Sequence, residues 1–252
     1  DLQYFLFRDA NFWPDFPTSA QNAMNLYSYG QSIPPLDGAI AIDQRFLELL
    51  LRGTGSVQVE GTDIIINSNN IIENIQTAWS ISEGQDAREW YAGRKDFLSD
   101  FAKAIRGKVE QDFGSLNFPQ LIFAMLEAAE GKHLQVYMRD QETAVILNDL
   151  GWDGRLSPPT HDHLFVLDTN MGFNKDNILV DRDIRYDVTR NPEGTAEANL
   201  TVAYQHAGQP LAAGEICQQR GVGTAYVAGA SYSDIVDECY WNYLRIYAPE
   251  NA

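Results

Sequence analysis

Gly38-Ala39-Ile40-Ala41-Ile42-Asp43-Gln44-Arg45-Phe46-Leu47-Glu48-Leu49-Leu50-Leu51-Arg52-Gly53 decides the fold class. Its first five residues are uncharged and carry β-branched isoleucines, which suits a strand. Asp43 stands where a helix N-cap belongs, and Phe46, Leu47, Leu50 and Leu51 follow as an apolar helix face. Gly53 is the expected stop. A strand passing into a helix through one capping residue is a building unit of α/β folds.

Around this unit, residues 1–155 alternate strand-like and helix-like segments. Tyr4-Phe5-Leu6-Phe7 reads as a short buried strand, and Asp9 to Pro17 is too rich in Pro and Asx to be regular. Thr18, with Gln21 three residues on, has the pattern of a capping box for a helix to about Tyr27. Further helices are expected around Ile71–Trp79, from Phe97 through Ile105, after Phe118-Pro119, and from Asp140 to Gly151. Val57-Gln58-Val59 and His133 to Met138 read as strands, and Ile64-Ile65-Ile66 as a strand or a loop plug.

Residues 160–252 change character. Leu164 to Leu167, Ile178 to Val180, Ile184 to Val188, Ala198 to Tyr204 and Tyr243 to Tyr247 read as strands, with links rich in Gly, Asn, Asp and Pro. This region is expected to be all-β, most simply a small sandwich, with the boundary in 154–160 around Pro158-Pro159.

Charge narrows the partners. Lys and Arg total 18 against 35 Asp and Glu, for a net charge of −17. Such a chain has no general attraction to nucleic acid or anionic lipid, so an anion site must be a local cluster of cations. No apolar run approaches the ~18–20 residues that span a bilayer. Two cysteines exclude a disulfide-dense mini-fold and a four-cysteine zinc site. A glycine-rich nucleotide fingerprint, a P-loop and a Gly-x-Ser-x-Gly elbow are all absent from the sequence.

Five features offer chemistry, each beside a structural reading. Arg8-Asp9 enters an irregular loop after the first expected strand. Arg there can clamp a phosphate, and Asp can hold a divalent cation or act as a base; a surface ion pair is the alternative. Arg88, Arg94 and Lys95 are the densest basic cluster, set on or just before a helix starting near Gly93. An anion held there would offset the unfavourable meeting of cations with the helix N-terminus, unless these groups simply pair with Asp96 and Asp100. Asp168 to Asp176 places oxygen ligands at alternate positions like a calcium loop, but Gly172 and Leu179 break the pattern, and an Asx turn also accounts for it. His161-Asp162-His163 places two imidazoles on one strand face, a zinc pair or two loop histidines. Cys217 and Cys239 form a disulfide in an oxidising compartment and stay free thiols in cytosol.

Several stretches in order resemble a bacterial family known as domain of unknown function 4012. They are Arg8 to Phe12 with Pro14 to Thr18, Asp37 to Asp43, Arg94 to Leu98, Leu150 to Gly154, Asn170 with Asn174-Lys175, and Cys239 to Tyr247 with Pro249. The resemblance implies a domain that follows a transmembrane helix and faces outward from the cell, where Cys217 and Cys239 would be oxidised. A more distant resemblance links the first half to the later part of the LytR-CpsA-Psr domain, whose members move a glycopolymer from a polyprenyl-pyrophosphate carrier onto peptidoglycan. Arg8-Asp9 matches its Arg-Asp, Thr18 to Tyr27 its helix, Gly38 to Leu51 its strand–helix unit, and Arg94 its later arginine. Phe7 stands in place of that family's proline and Lys95 in place of its glutamine, and its earlier strands have no counterpart. Asp1 is therefore expected to mark a cut inside a longer, membrane-anchored protein.

The resemblance implies Arg8 and Arg94 on the pyrophosphate, with Arg88 or Lys95 assisting, and Asp9 holding magnesium or serving as base. The fold expected is thus an α/β, LytR-CpsA-Psr-like domain followed by a β-sandwich. The function expected is transfer of a polyprenyl-linked glycopolymer to a cell-wall acceptor. The alternative is a non-catalytic envelope scaffold or a glycan- or lipid-binding module.

Overall fold

The computed structural model describes residues 6–29, 31–59, 63–93, 95–157, 161–172, 174–217, 229 and 231–249. The chain divides into two units: Asp1–Ala78 with Gly93–Ser157, and Trp79–Ala92 with Pro158–Ala252. Residues 79–92 thus belong with the second unit, which a linear division at 155–160 does not foresee. The packing of Trp79 explains it: Trp90 Nε1 donates to its carbonyl at 3.2 Å, and Lys175 Nζ lies 3.6 Å from its ring centroid. Pro158, Pro159 and Thr160 lie outside the described residues.

The first unit begins with a tight 3-10 turn, Phe7–Phe12, where a strand and an irregular loop were expected. Tyr4 and Phe5 of that strand lie outside the described residues. Asp9 closes the turn: its carboxylate accepts from Leu6 N–H at 2.9 Å, and its own N–H donates to the Leu6 carbonyl at 2.8 Å. Helix α1 (Phe16–Ser28) follows. Its cap is Asp15, not Thr18, because the Asp15 carboxylate accepts both the Thr18 N–H (3.0 Å) and the Thr18 hydroxyl (2.6 Å). The second Asp15 oxygen accepts from Leu156 N–H at 3.0 Å, and Phe16 N–H donates to the Gly154 carbonyl. Gly154 has φ +61, and a Cβ on it would come within 2.9 Å of Phe16 Cβ. The Gly151 to Gly154 stretch therefore serves to seat the start of α1.

Strand β1 (Gly38–Ile42) pairs antiparallel with β4 (Leu134–Met138), Ile40 opposite Val136. Asp43 caps α2 (Gln44–Thr54) by accepting from Phe46 N–H at 3.0 Å. The helix ends at Gly55, whose φ of +75 suits glycine, and Gly53 lies inside it. Gly53 has a packing role instead: a Cβ there would sit 2.5 Å from Leu121 Cα on α6 (Phe118–Glu130). Ala124 and Ala128 on α6 allow the same close approach, and with fully buried Leu49 they form a core flanked by Phe46, Met125 and Leu134. The buried face of α2 is thus centred on Leu49 rather than on the Leu47 and Leu50 expected.

Short strands β2 (Val57–Gln58) and β3 (Ile65–Ile66) pair with each other, and α3 (Ile71–Trp79) buries Ile71 and Ile75. Helix α4 (Ala87–Gly93) precedes α5 (Asp96–Gln111), which packs on β2 and α2. Asn117 caps α6, and Asp140 caps α7 (Gln141–Asp149).

In the second unit β5 (Phe165–Asn170) pairs antiparallel with β8 (Asn242–Tyr247), and β6 (Val180–Arg190) with β7 (Ala196–His206). A short helix, α8 (Tyr232–Val236), precedes β8. Among the described residues these strands form two two-stranded sheets, and with α8 the region is not all-β as expected. The alternation of β6 and β7 gathers Ile184, Tyr186, Val188, Leu200 and Val202 on one face, yet Ile184 and Val188 remain exposed. Cys217 and Cys239 are joined in a disulfide, Cα atoms 5.8 Å apart.

Candidate functional site

The 3-10 turn, one face of α1 and β1 enclose a groove of about 470 Å³ in the first unit. Ala10 is buried, which seats the turn on α1 and leaves Phe7 and Arg8 turned outward. Phe7, Met24, Tyr27 and Ile40 line the groove with apolar surface, and Phe7 and Tyr27 meet ring to ring at 5.6 Å. Ile40 is 69% exposed and Ile42 52%, a large apolar area for one short strand. Ser19 reaches the wall too, but its hydroxyl donates to the Trp13 carbonyl at 2.8 Å.

Arg8 stands in the wall of this groove and is its one basic residue among the described lining. Its side chain is 66% exposed, with Nε 3.6 Å from Asp9 Oδ1. Exposure of that order makes the pair weak in water. Asp9 is less available. One of its oxygens holds Leu6 N–H and the other faces Arg8.

The described lining includes none of the other predicted cations. Arg94 lies outside the described residues. Lys95 stands at the start of α5 and does not line the groove. Arg88 sits on α4, exposed, in the second unit, with its N–H donating to Asp86. Lys95 precedes α5, which begins at Asp96, as expected of a residue at that helix start, whereas Arg88 lies on α4, which ends at Gly93.

The polar stretch 168–176 is drawn into structural bonds. Asp168 accepts from Arg182, from the Tyr204 hydroxyl and from Asn242 Nδ2 (2.6 Å). Partial burial raises the Asp168 carboxyl, but these three donors and the Arg182 charge outweigh it and hold it below its ordinary 3.8. The converse holds for Tyr204: burial, and then the bond to Asp168, push its hydroxyl up to about 12. Asn170 Oδ1 accepts from Gly172 N–H at 2.8 Å, and Asn174 Nδ2 donates to the Cys239 carbonyl at 3.0 Å. That is an Asx turn pinned beside the disulfide. Phe173 of the same stretch lies outside the described residues. In the His161-Asp162-His163 segment, Asp162 accepts from the Tyr186 hydroxyl at 2.8 Å and His163 Nδ1 lies 3.2 Å from the His161 carbonyl.

Of the two residues singled out in the sequence, Arg8 lines the groove and Asp9 does not, and the apolar wall was not foreseen. The signal available was in β1, where isoleucines at 40 and 42 alternate with alanines at 39 and 41, so that one face of the strand carries all the bulk.

Residues 2–78 match the family model DUF4012, a protein of unknown function. No curated protein and no solved structure matches the chain. The DUF4012 match takes in the turn, α1, β1 and α2, so every described residue that lines the groove falls inside it. The Asp15 and Asp43 caps also fall inside it.

Proposed function

We propose that the first unit binds an amphiphilic anion, a polyprenyl phosphate or pyrophosphate of the kind that carries glycopolymers, with its prenyl end in the groove and its phosphate on Arg8. The observation that carries this reading is an apolar groove of ligand-binding size whose described wall contains a single arginine. The distant resemblance of the first half to the LytR-CpsA-Psr domain points the same way, and a layered fold of that type for residues 1–155 is part of the proposal. The carrier would present a cell-wall polymer or glycan outside the cytoplasm. The Cys217–Cys239 disulfide supports that location, for a parent protein anchored to the membrane.

Between the two activities considered, the geometry favours binding over transfer. A general base must reach its proton with a free carboxylate oxygen, and Asp9 spends one oxygen on the Leu6 N–H and does not line the groove. Magnesium asks for one or two carboxylates plus phosphate oxygens. Asp9 offers a single one, so any magnesium dependence would come with a pyrophosphate. Transfer remains the second reading.

The test is calorimetric titration of the chain with farnesyl pyrophosphate and, separately, inorganic pyrophosphate, with and without magnesium. The prenyl compound is expected to bind at least tenfold more tightly than the inorganic ion. Arg8→Ala should weaken both, and Ile40→Asn, at an exposed position of the groove wall, should weaken only the prenyl compound. Equal affinity for the two ligands, or no response to either substitution, overturns the proposal. Release of the polymer from a polyprenyl-linked substrate, lost in Asp9→Asn, would decide for transfer.

A further inference from the structure

Among the described residues of the second unit, the most deeply buried charged side chain is an acid. Asp176 opens a 3-10 turn, Asp176–Leu179, and is fully buried. Its Oδ1 accepts from Glu238 N–H at 3.2 Å and lies 2.9 Å from His206 Nε2. Its Oδ2 is buried with no hydrogen-bond partner. A buried carboxylate oxygen left unpaired is costly, because it has given up water for nothing in return. A second carboxylate stands beside it: Asp237, just past α8, accepts from Gln209 N–H at 2.9 Å through Oδ2. Ligand atoms of Asp176, His206 and Asp237 all lie within 4.8 Å of one another.

Two carboxylates and an imidazole converging beside a buried orphan oxygen are a ligand set rather than a salt bridge. We propose that Asp176, His206 and Asp237 bind a divalent transition cation of the zinc class. Ligand type sets the class: imidazole with carboxylate oxygens suits zinc, whereas calcium takes six to eight oxygens. A small contraction brings the three ligand atoms to the roughly 2.0–2.2 Å bonds that zinc makes. The scaffold holds them from three directions. His206 ends β7 opposite Val180, Asp176 is fixed through Asn174 to the Cys239 carbonyl, and Asp237 lies two residues before the disulfide.

Gly208 is built into the same spot. A Cβ on it would lie 2.1 Å from Asp237 Oδ1 and 2.3 Å from His206 Cε1. Its N–H donates to His206 Nδ1 at 3.0 Å, which keeps the ring proton on Nε2, toward Asp176. Coordination at Nε2 therefore moves that proton to Nδ1 and turns the Gly208 peptide, a movement glycine permits. The imidazole stays neutral, and the cation takes the place of the proton between His206 and Asp176.

The experiment is titration of the whole chain with zinc, with calcium as control, read by calorimetry and by ¹⁵N NMR of the histidine side chains. The expected result is one zinc per chain, calcium at least tenfold weaker, and a His206 spectrum with the proton on Nδ1. Asp237→Asn and His206→Ala should each lower zinc affinity at least tenfold. Both sites are partly or fully accessible, so these variants avoid the folding risk of Asp176→Asn. No zinc binding, zinc affinity unchanged in both variants, calcium bound as tightly as zinc, or His206 keeping its proton on Nε2 would each overturn the site. Groove binding in the first unit is untouched by any of these outcomes.

Discussion

In the first unit the deepest side chains are apolar: Leu49, Ile66, Ile71 and Ala128 are fully buried. In the second, the buried apolar residues among those described are Ile81, Val236 and Cys239, and fully buried Asp176 lies among them. The first unit is closed by helix packing, with Gly53 and the alanines of α6 letting two helices approach. The second has two-stranded sheets, which are marginal alone. It is held instead by a disulfide, by the Asp168 network and by the Asx turn at 170–174. Where the sequence cannot bury enough apolar area, covalent and polar links take over the role of the core.

The sharpest way to break this contrast is Leu49→Ala. It should cost the first unit about 3–4 kcal/mol, read by hydrogen exchange resolved along the chain, with protection in β6 and β7 unchanged. Loss of protection in both units together would show one cooperative core and end the comparison. Next in size is the double variant Cys217→Ser with Cys239→Ser. On loop-closure grounds it should cost about 3 kcal/mol, this time in the second unit alone, and adding reductant to the native protein should do the same. Gly53→Ala should follow, at about 1–3 kcal/mol from overpacking against Leu121, with α2 and α6 losing protection first.

Asp15→Ala removes a helix cap worth about 1 kcal/mol and should fray the start of α1 and loosen Leu156, whose N–H it also holds. Titration sharpens the contrast further. In the second unit, burial and the Asp168 bond raise Tyr204 to about 12 from an ordinary 10.0, and Tyr186, Tyr232 and Tyr240 are raised as well. Raised values mean that the native state favours the protonated phenol. That stabilisation is complete below pH 10 and is lost as pH climbs from 10 to about 12. Fluorescence and phenolate absorbance followed through that range should show Tyr204 ionising as the second unit opens. In acid the two units should respond alike. Asp15 and Asp168 are both held below 3.8, so their contribution is present above that pH and fades as pH falls further.

Much of the first unit was legible. Gly38 to Ile42, Asp43, Pro119 and Asp140 act through neighbours within a few residues, and local rules read such contacts well. Thr18 misled because the capping box compares positions three apart, while the Asp15 carboxylate had already taken its N–H and hydroxyl. Gly53 misled because its reason is Leu121 on another helix. The sites were less legible. Arg8 is conspicuous as a charge entering a loop, but Phe7, Met24 and Ile40 come from three elements, and no periodicity joins them. Asp176 and His206 stand thirty residues apart, and only the return of β7 along β6 brings them together.

The pairing of β5 with β8 also sets an order of events during synthesis. Phe165 finds its partner in Tyr247 and Asn170 in Asn242, so β5 leaves the ribosome long before the strand that completes it. The β6–β7 hairpin can close as soon as it emerges, because its contacts are local. Until β8 follows, β5 offers an open edge of backbone donors and acceptors to any neighbouring nascent chain. A ribosome that pauses before Asn242 therefore holds a chain whose first unit is ready and whose second is open to the wrong strand.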